Sequence, residues 1–217
     1  MNNKNTQRIL LIILSVVLAV TVILYVIKRT FSIPVTLAIL AGNIVVFIFV
    51  RTGKLSIEKL GTSYYDTIRG KQLYRVYTSA FTHREIWHLM MNMISLFNLG
   101  SVLEPFLGSI RFLILYAVIT TIEGIVSCIL HAKKSPSTLS IGASGVLFGL
   151  LGVYIVFVLT FQGISGIFSI LPTLAIMVLM VFSRRIDSIA HFTGLGTGIL
   201  CGIVLLILRL SKIFILI

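Results

Sequence analysis

Residues 143–161 read ASGVLFGLLGVYIVFVLTF, a run with no charged side chain. A helix rises about 1.5 Å per residue and a hydrocarbon core is about 30 Å thick, so a run of this kind is long enough to cross a bilayer as one helix. Comparable runs lie at approximately 9–27, 34–50, 86–103, 112–130, 166–182 and 189–208, which makes seven candidate spans. Charged residues make up 11% of the chain, where a soluble domain carries about a quarter. The apolar residues run on continuously instead of forming the interrupted stripe of a soluble amphipathic helix. Lipid admits only helices or closed barrels, and barrel strands alternate in polarity over about ten residues. These runs do not alternate, so the expected fold is an all-α membrane protein, a polytopic helical bundle.

The segments between the runs differ in kind. The first run could be a signal peptide, but no small-x-small cleavage site stands out after it, and it reads as an uncleaved helix. Residues 1–33 then form an extra N-terminal transmembrane helix with a short linker, and 34–217 form the core. Pro34 suits the first position of a helix. Residues 51–85 form the one long loop, mixing charges with Tyr64, Tyr65, Tyr74, Tyr77 and Phe81, a composition at home in the membrane interface. The formal charge is +12, and its basic residues flank apolar runs. The expected partner of that charge is the lipid bilayer with its anionic headgroups, not nucleic acid. Cys128 and Cys201 lie inside apolar runs without metal-ligand spacing, and no His-Glu-x-x-His string is present, so neither a metal nor a disulfide framework is expected. Lys28, Arg29, Arg111, Arg209 and Lys212 fall on one side of the bundle. Arg51, Lys54, Lys59, Arg69, Lys71, Arg75, Lys133, Lys134, Arg184 and Arg185 fall on the other, which the positive-inside rule would make cytoplasmic.

Several polar features stand where polar groups are expensive, and each is a functional hypothesis for that reason. Gly142-Ala143-Ser144-Gly145 opens the fifth span. Glycines around a serine allow a sharp turn and a close approach, and a helix start leaves N–H groups for an oxyanion. Helix packing through Gly145 and Gly149 explains the same residues without chemistry. His191, Gly194, Gly198 and Gly202 share one helix face, an imidazole above a smooth groove that lets a neighbouring helix come close. A histidine bonded to a backbone carbonyl is the alternative. His88 and Asn92, four apart, stack on one face as two side-chain donors suited to a developing oxyanion, or else to interhelical hydrogen bonds. Gly100-x-x-x-Glu104-x-x-x-Gly108 reads as close packing around a structural cap or loop anchor, with Arg111 a possible partner for Glu104. Glu123, near the middle of the fourth span, is expected to face the interior.

Over roughly residues 34–208, the ordered motifs His-x-x-x-Asn, Gly-x-x-x-Glu-x-x-x-Gly, Gly-x-Ser-Gly and Ala-His-x-x-Gly-x-x-x-Gly resemble the rhomboid family of intramembrane serine proteases. The resemblance implies a rhomboid-like six-helix catalytic core with the extra helix in front of it. It implies Ser144 as nucleophile and His191 as base of a Ser–His dyad in a water-filled cavity. His88, Asn92 and the Ser144 N–H would bind the oxyanion, with Gly142 beside them. Phe148 would pack on the catalytic imidazole, Gly145, Gly194 and Gly198 would support the site, and His83 would be structural. No cofactor and no metal are implied. Substrates would be transmembrane proteins, cut after a small residue near one membrane face and admitted laterally past the span at 166–182, where Gly163, Gly166 and Pro172 could ease movement. The family usually carries Trp-Arg in the first long loop, where this chain has Tyr74-Arg75. The family places the serine opening on the extracytoplasmic side, here of a bacterial cell membrane, against the charge count. Asp187, four residues before His191, could bias the imidazole, but the reading is a dyad. Two rival readings remain at this point: an inactive rhomboid-like protein that binds membrane clients, and a transporter with His88, Asn92, Glu123 and His191 lining a polar path.

Overall fold

The computed structural model describes residues 33–133, 135–181 and 187–210. The expected span at 9–27 lies outside them. The described residues are helical apart from turns and one isolated bridge between Thr62 and Ser140. The helices are α1 (Pro34–Arg51), α2 (Ile57–Leu60), α3 (Arg75–Ala80), α4 (Ile86–Leu107), α5 (Ser109–His131), α6 (Ser144–Phe161), α7 (Ile167–Val181) and α8 (Ser188–Leu210). Five of these, α1, α4, α5, α6 and α8, are long and apolar enough to cross a membrane. In the run at 166–182 the α-helix is described over Ile167–Val181 and follows a 3-10 turn over Ile164–Gly166.

α6 is the centre of the bundle. It is apolar all round, and 61% of its 18-residue window is inside the protein, against 22–44% for the other long helices. A helix without a polar face belongs in the middle. α4 instead shows two faces. Leu96, Leu99, Leu103 and Leu107, at helical spacing, are almost wholly buried, while Met90, Ile94, Val102 and Phe106 face outward. Lipid makes the outward apolar face as acceptable as the inward one.

Two buried charged side chains organise the backbone around this core. Glu104 of α4 is fully buried and accepts hydrogen bonds from the N–H groups of Val35 (2.9 Å) and Thr36 (2.8 Å) and from the hydroxyls of Thr36 (2.7 Å) and Ser109 (2.8 Å). The first N–H groups of a helix lack internal partners, and a carboxylate there also suits the helix dipole. Glu104 therefore fixes the start of α1 and the start of α5 together. Gly100, one turn earlier, lets Thr36 lie against the α4 backbone; any Cβ there would collide with the Thr36 side chain. Arg111 turns its Nη1 to the carbonyl of Leu107, at 3.3 Å. Gly108, at φ +83°, reverses the chain between α4 and α5.

Arg75 does the same for the long loop. It is 6% exposed, and its guanidinium donates to the carbonyls of Glu58 (2.6 Å) and Gly61 (2.9 Å) and to the Gln72 side chain (2.7 Å). Tyr74, by contrast, is half exposed. The loop is thereby folded onto the segment before α6. Thr62 and Ser140 exchange backbone hydrogen bonds at 3.0 and 2.9 Å, and Gly142 N–H donates to the Ser79 carbonyl at 2.9 Å.

α6 and α8 make the tightest contact in the bundle. A Cβ at Gly194 would fall on the carbonyl of Gly145, and one at Gly198 on the carbonyl of Gly149. Gly152 of α6 is equally close to Leu195 of α8, where a Cβ would stand 2.6 Å from the carbonyl oxygen. The two backbones are in contact with no side chain between them, the packing that membrane helices use when burial of apolar area gives no advantage over lipid. Gly198→Ala is therefore predicted to destabilise the protein by about 3 kcal/mol, since backbone cannot yield as a flexible side chain can. Gly196→Ala, where a Cβ meets nothing within 4 Å, should be neutral or slightly stabilising. Thermal unfolding of both variants in detergent checks this, and equal shifts in the two would contradict the packing described.

Candidate active site

Ser144 is the first residue of α6, and His191 lies in the first turn of α8. The glycine contact brings these two helix starts side by side. His191 Nε2 and Ser144 Oγ are 2.8 Å apart, and both residues are 8% exposed. The Phe148 ring, one turn along α6, stacks on the imidazole with centroids 4.4 Å apart and planes 16° from parallel. The ring is thus held in plane by an aromatic face and in position by a hydroxyl. His191 Nδ1 has no hydrogen-bond partner among the described residues.

The approach to Ser144 is shaped by Gly142. Its φ of +108° is one that residues with a Cβ rarely adopt, and the space a Cβ would need is taken by His88, whose Cε1 would be 2.5 Å away. The His88 imidazole thus rests on the turn that delivers the nucleophile. The Ser144 N–H is among the first-turn amides that an α-helix leaves without an internal partner.

Asn92 is set one step back. Its amide nitrogen, fully buried, donates to the His88 carbonyl (2.9 Å) and to His83 Nε2 (2.9 Å). Both amide hydrogens have acceptors, so Asn92 does not stand as a second unengaged donor beside His88. His83 has a further partner in the N–H of Ala143, at 3.5 Å from its Nε2. Both contacts require Nε2 to be an acceptor, hence a neutral ring. Burial, aided by the nearby His88, pushes the His83 pKa down to about 3.

Asp187 lies immediately before α8. Its carboxylate accepts the Ala190 N–H at 3.1 Å, and its carbonyl accepts the His191 N–H at 3.1 Å. His131, the last residue of α5, reaches both Asp187 carboxylate oxygens with Nε2 at 2.9 Å, and the Ser140 hydroxyl donates to Oδ2. Asp187 therefore does not touch His191 Nδ1. It caps the helix that carries the imidazole and ties that cap to the segment that carries the serine. His131 and Ser140 were not singled out by motif or spacing. The available signal was a histidine at the C-terminal end of the fourth span, beside the polar stretch 132–141. Glu123 does face inward: its carboxyl group packs on Gly145, where a Cβ would be 2.6 Å from Cδ. Among the described residues no three His, Cys, Asp or Glu side chains gather closely enough to hold a metal ion.

The structure therefore brings Ser144, His191, Phe148, Gly142, Gly145 and His88 to one place, with Gly194 and Gly198 supporting the approach. The family model for the rhomboid domain matches residues 70–208. "Putative rhomboid protease YdcA" of Bacillus subtilis (strain 168) is 33% identical over 179 residues, covering 77% of this chain and 86% of that protein. "RHOMBOID-like protein 1" of Arabidopsis thaliana is 31% identical over 159 residues, 70% of this chain and 40% of its own length. "RHOMBOID-like protein 6, mitochondrial", from the same plant, is 32% identical over 164 residues, 73% of this chain and 52% of its own length. The match thus spans about half or less of these plant relatives. The fold and the site define a multi-pass helical membrane protein, and the chain belongs to the rhomboid family.

The His83 arrangement carries a pH signature. An exposed histidine titrates near 6.5, so below that pH the unfolded chain binds a proton that the folded protein refuses. Stability contributed by neutral His83 is complete above pH 6.5 and is lost as pH falls from there toward 3. The predicted loss is about 1 kcal/mol per pH unit across pH 6 to 4. His83→Gln should flatten that slope, which denaturation curves at several pH values will show; an unchanged slope would contradict it.

Proposed function

We propose that this protein is an intramembrane serine endopeptidase working through a Ser144–His191 dyad. The observation that carries the reading is the 2.8 Å contact between a serine hydroxyl at a helix start and an imidazole held flat by an aromatic ring. His191 Nε2 removes the Ser144 proton as Oγ attacks a peptide carbonyl. The tetrahedral oxyanion forms beside the Ser144 N–H and the His88 imidazole, and a positioned donor of this kind is worth about 3 kcal/mol. Asn92 joins them only if its amide leaves His83. His191 then protonates the departing amine, and water completes hydrolysis of the ester. With Asp187 occupied by His131, Ser140 and the α8 cap, the site has two working members, not three.

Substrates on this reading are transmembrane segments. A peptide bond inside a helix is shielded and must be unwound before attack. A groove between α7 and α4 supports access from the side: it has about 380 Å³ and is bordered by Asn98, Ser101, Tyr154, Ser169 and Thr173. Polar side chains there offer partners to backbone groups released by unwinding. The proposed setting is a bacterial cell membrane with the serine opening outward.

A fluorophosphonate should label the wild-type protein, and Ser144→Ala should not be labelled. Ser144→Ala and His191→Ala should each slow cleavage of a model transmembrane substrate by roughly a thousandfold or more. Equal labelling of wild type and Ser144→Ala would remove Ser144 from this role and favour a client-binding protein without hydrolytic activity. An impermeant thiol reagent at engineered cysteines in 52–80 tests the orientation. Labelling of intact cells supports the outward opening; labelling only after lysis reverses it.

A further inference from the structure

α8 is joined to the rest of the bundle in two ways. From Gly194 onward its glycines lie against the α6 backbone. Before Gly194, in the turn that carries His191, directional bonds are few. Among the described residues, only Asp187 and His191 make side-chain hydrogen bonds from residues 187–193 to another element. The Thr193 hydroxyl returns to the carbonyls of Ile189 and Ala190 in its own helix. The His191 bond goes to Ser144. The Asp187 bonds go to His131 at the end of α5 and to Ser140 in the segment leading to the serine. His131 is itself fixed. It is 7% exposed, its Nε2 faces both Asp187 carboxylate oxygens at 2.9 Å, and its Nδ1 lies 3.2 Å from the Ser135 hydroxyl. Both ring nitrogens are thus in use, with Nε2 carrying the hydrogen that the carboxylate accepts.

The bond between Ser144 and His191 cannot last through a reaction cycle. Once Ser144 Oγ has formed the ester, its hydrogen has passed to His191 Nε2 and on to the departing amine. The ester oxygen has no hydrogen to donate, and Nε2 must next accept one from the attacking water. At that stage the imidazole is held by the Phe148 ring on its face and by the position of its own helix turn. Resting on the dyad reading, we propose that His131 and Asp187 are positioning residues whose hold on that turn sustains the second half of the reaction. Neither touches the reacting atoms. The Asp187 carboxylate accepts the Ala190 N–H and its carbonyl accepts the His191 N–H, so a carboxylate tied to α5 and to Ser140 also ties the backbone of His191. With the pair intact, the imidazole stays beside the ester. It takes a proton from water as the water oxygen bonds to the acyl carbon, and returns it to Ser144 Oγ as the ester bond breaks. With the pair broken, acylation still has the Ser144–His191 hydrogen bond to align its groups, and deacylation does not. Deacylation is the step that suffers more.

The test follows cleavage of a model transmembrane substrate by the full chain in vesicles, quenched in acid at intervals. Denaturing gels separate the substrate, its released fragments and the Ser144 ester, which carries the amino-terminal fragment as added mass. At steady state the ratio of ester to free enzyme equals the acylation rate divided by the deacylation rate, so a general loss of folded protein cancels. His131→Ala should raise that ratio about tenfold over wild type, within the range that a small misplacement of a catalytic group costs. Glutamine can donate an N–H to the carboxylate from nearly the same place, and His131→Gln should restore the wild-type ratio. Ser140→Ala removes one donor to Asp187 and leaves His131; it should show the same imbalance to a smaller degree, and it carries the comparison if His131→Ala does not fold. A lower melting temperature with an unchanged ratio, equal slowing of both steps, or as much ester in His131→Gln as in His131→Ala overturns the inference. Absence of any Ser144-dependent cleavage by the wild type is a different result: it removes the dyad reading, and the positioning role with it.

Discussion

The backbone contact between α6 and α8 is the constraint on which the site depends. Helices packed through ordinary side chains lie 8–10 Å apart, axis to axis. Here the two helices meet backbone to backbone, and that contact sets the register that brings a serine on one and a histidine on the other, both in the first turn, to 2.8 Å. Glycine at 149 and 152 on one helix, and at 194 and 198 on the other, leaves out the Cβ atoms that would meet the opposite backbone. The chain gives up helix propensity at each of these positions and gains an approach that only glycine permits. Gly145 in turn leaves room for the Glu123 carboxyl group beside the nucleophile. Packing and chemistry are set by one feature.

Burying polar groups in a bundle surrounded by lipid is costly unless each finds partners. This protein places two buried charged groups and one half-buried one where backbone groups need them. Glu104 satisfies the amides at the start of α1, Arg75 collects carbonyls of the long loop, and Asp187 caps α8 while holding His131 and Ser140. The three stand at the junctions that position the active-site elements. Glu104 locks the helices behind the core, Arg75 shapes the loop lying over the serine turn, and Asp187 fixes the register of the helix carrying the imidazole. His83 and Asn92 add a neutral pair beneath the turn.

Much of this could be read from the amino-acid order because lipid simplifies the code. Long apolar runs mean helices, and polar residues inside them stand out against the background. The grouping of His191 with Gly194 and Gly198 on one face followed from helical spacing alone. What escaped was fixed by contacts distant in sequence. His131 meets Asp187 across 56 positions, with no periodicity to mark either as a partner of the other. Asn92 has the right spacing from His88, yet its amide is turned to His83, a loop residue whose position depends on the fold of the whole first loop. The 3-10 turn before α7 left no mark either, because hydropathy does not register where helical hydrogen bonding begins.

The central claim is that the hydroxyl at 144 and the imidazole at 191 are in contact within the assembled bundle. Solid-state NMR of the protein in bilayers, with 15N in the His191 ring and 13C at Ser144 Cβ, measures that separation directly. A hydrogen bond between Oγ and Nε2 puts the labelled pair within about 4 Å, giving strong dipolar recoupling. A pair too distant to recouple, beyond roughly 6 Å, could not share a hydrogen bond and would contradict the account.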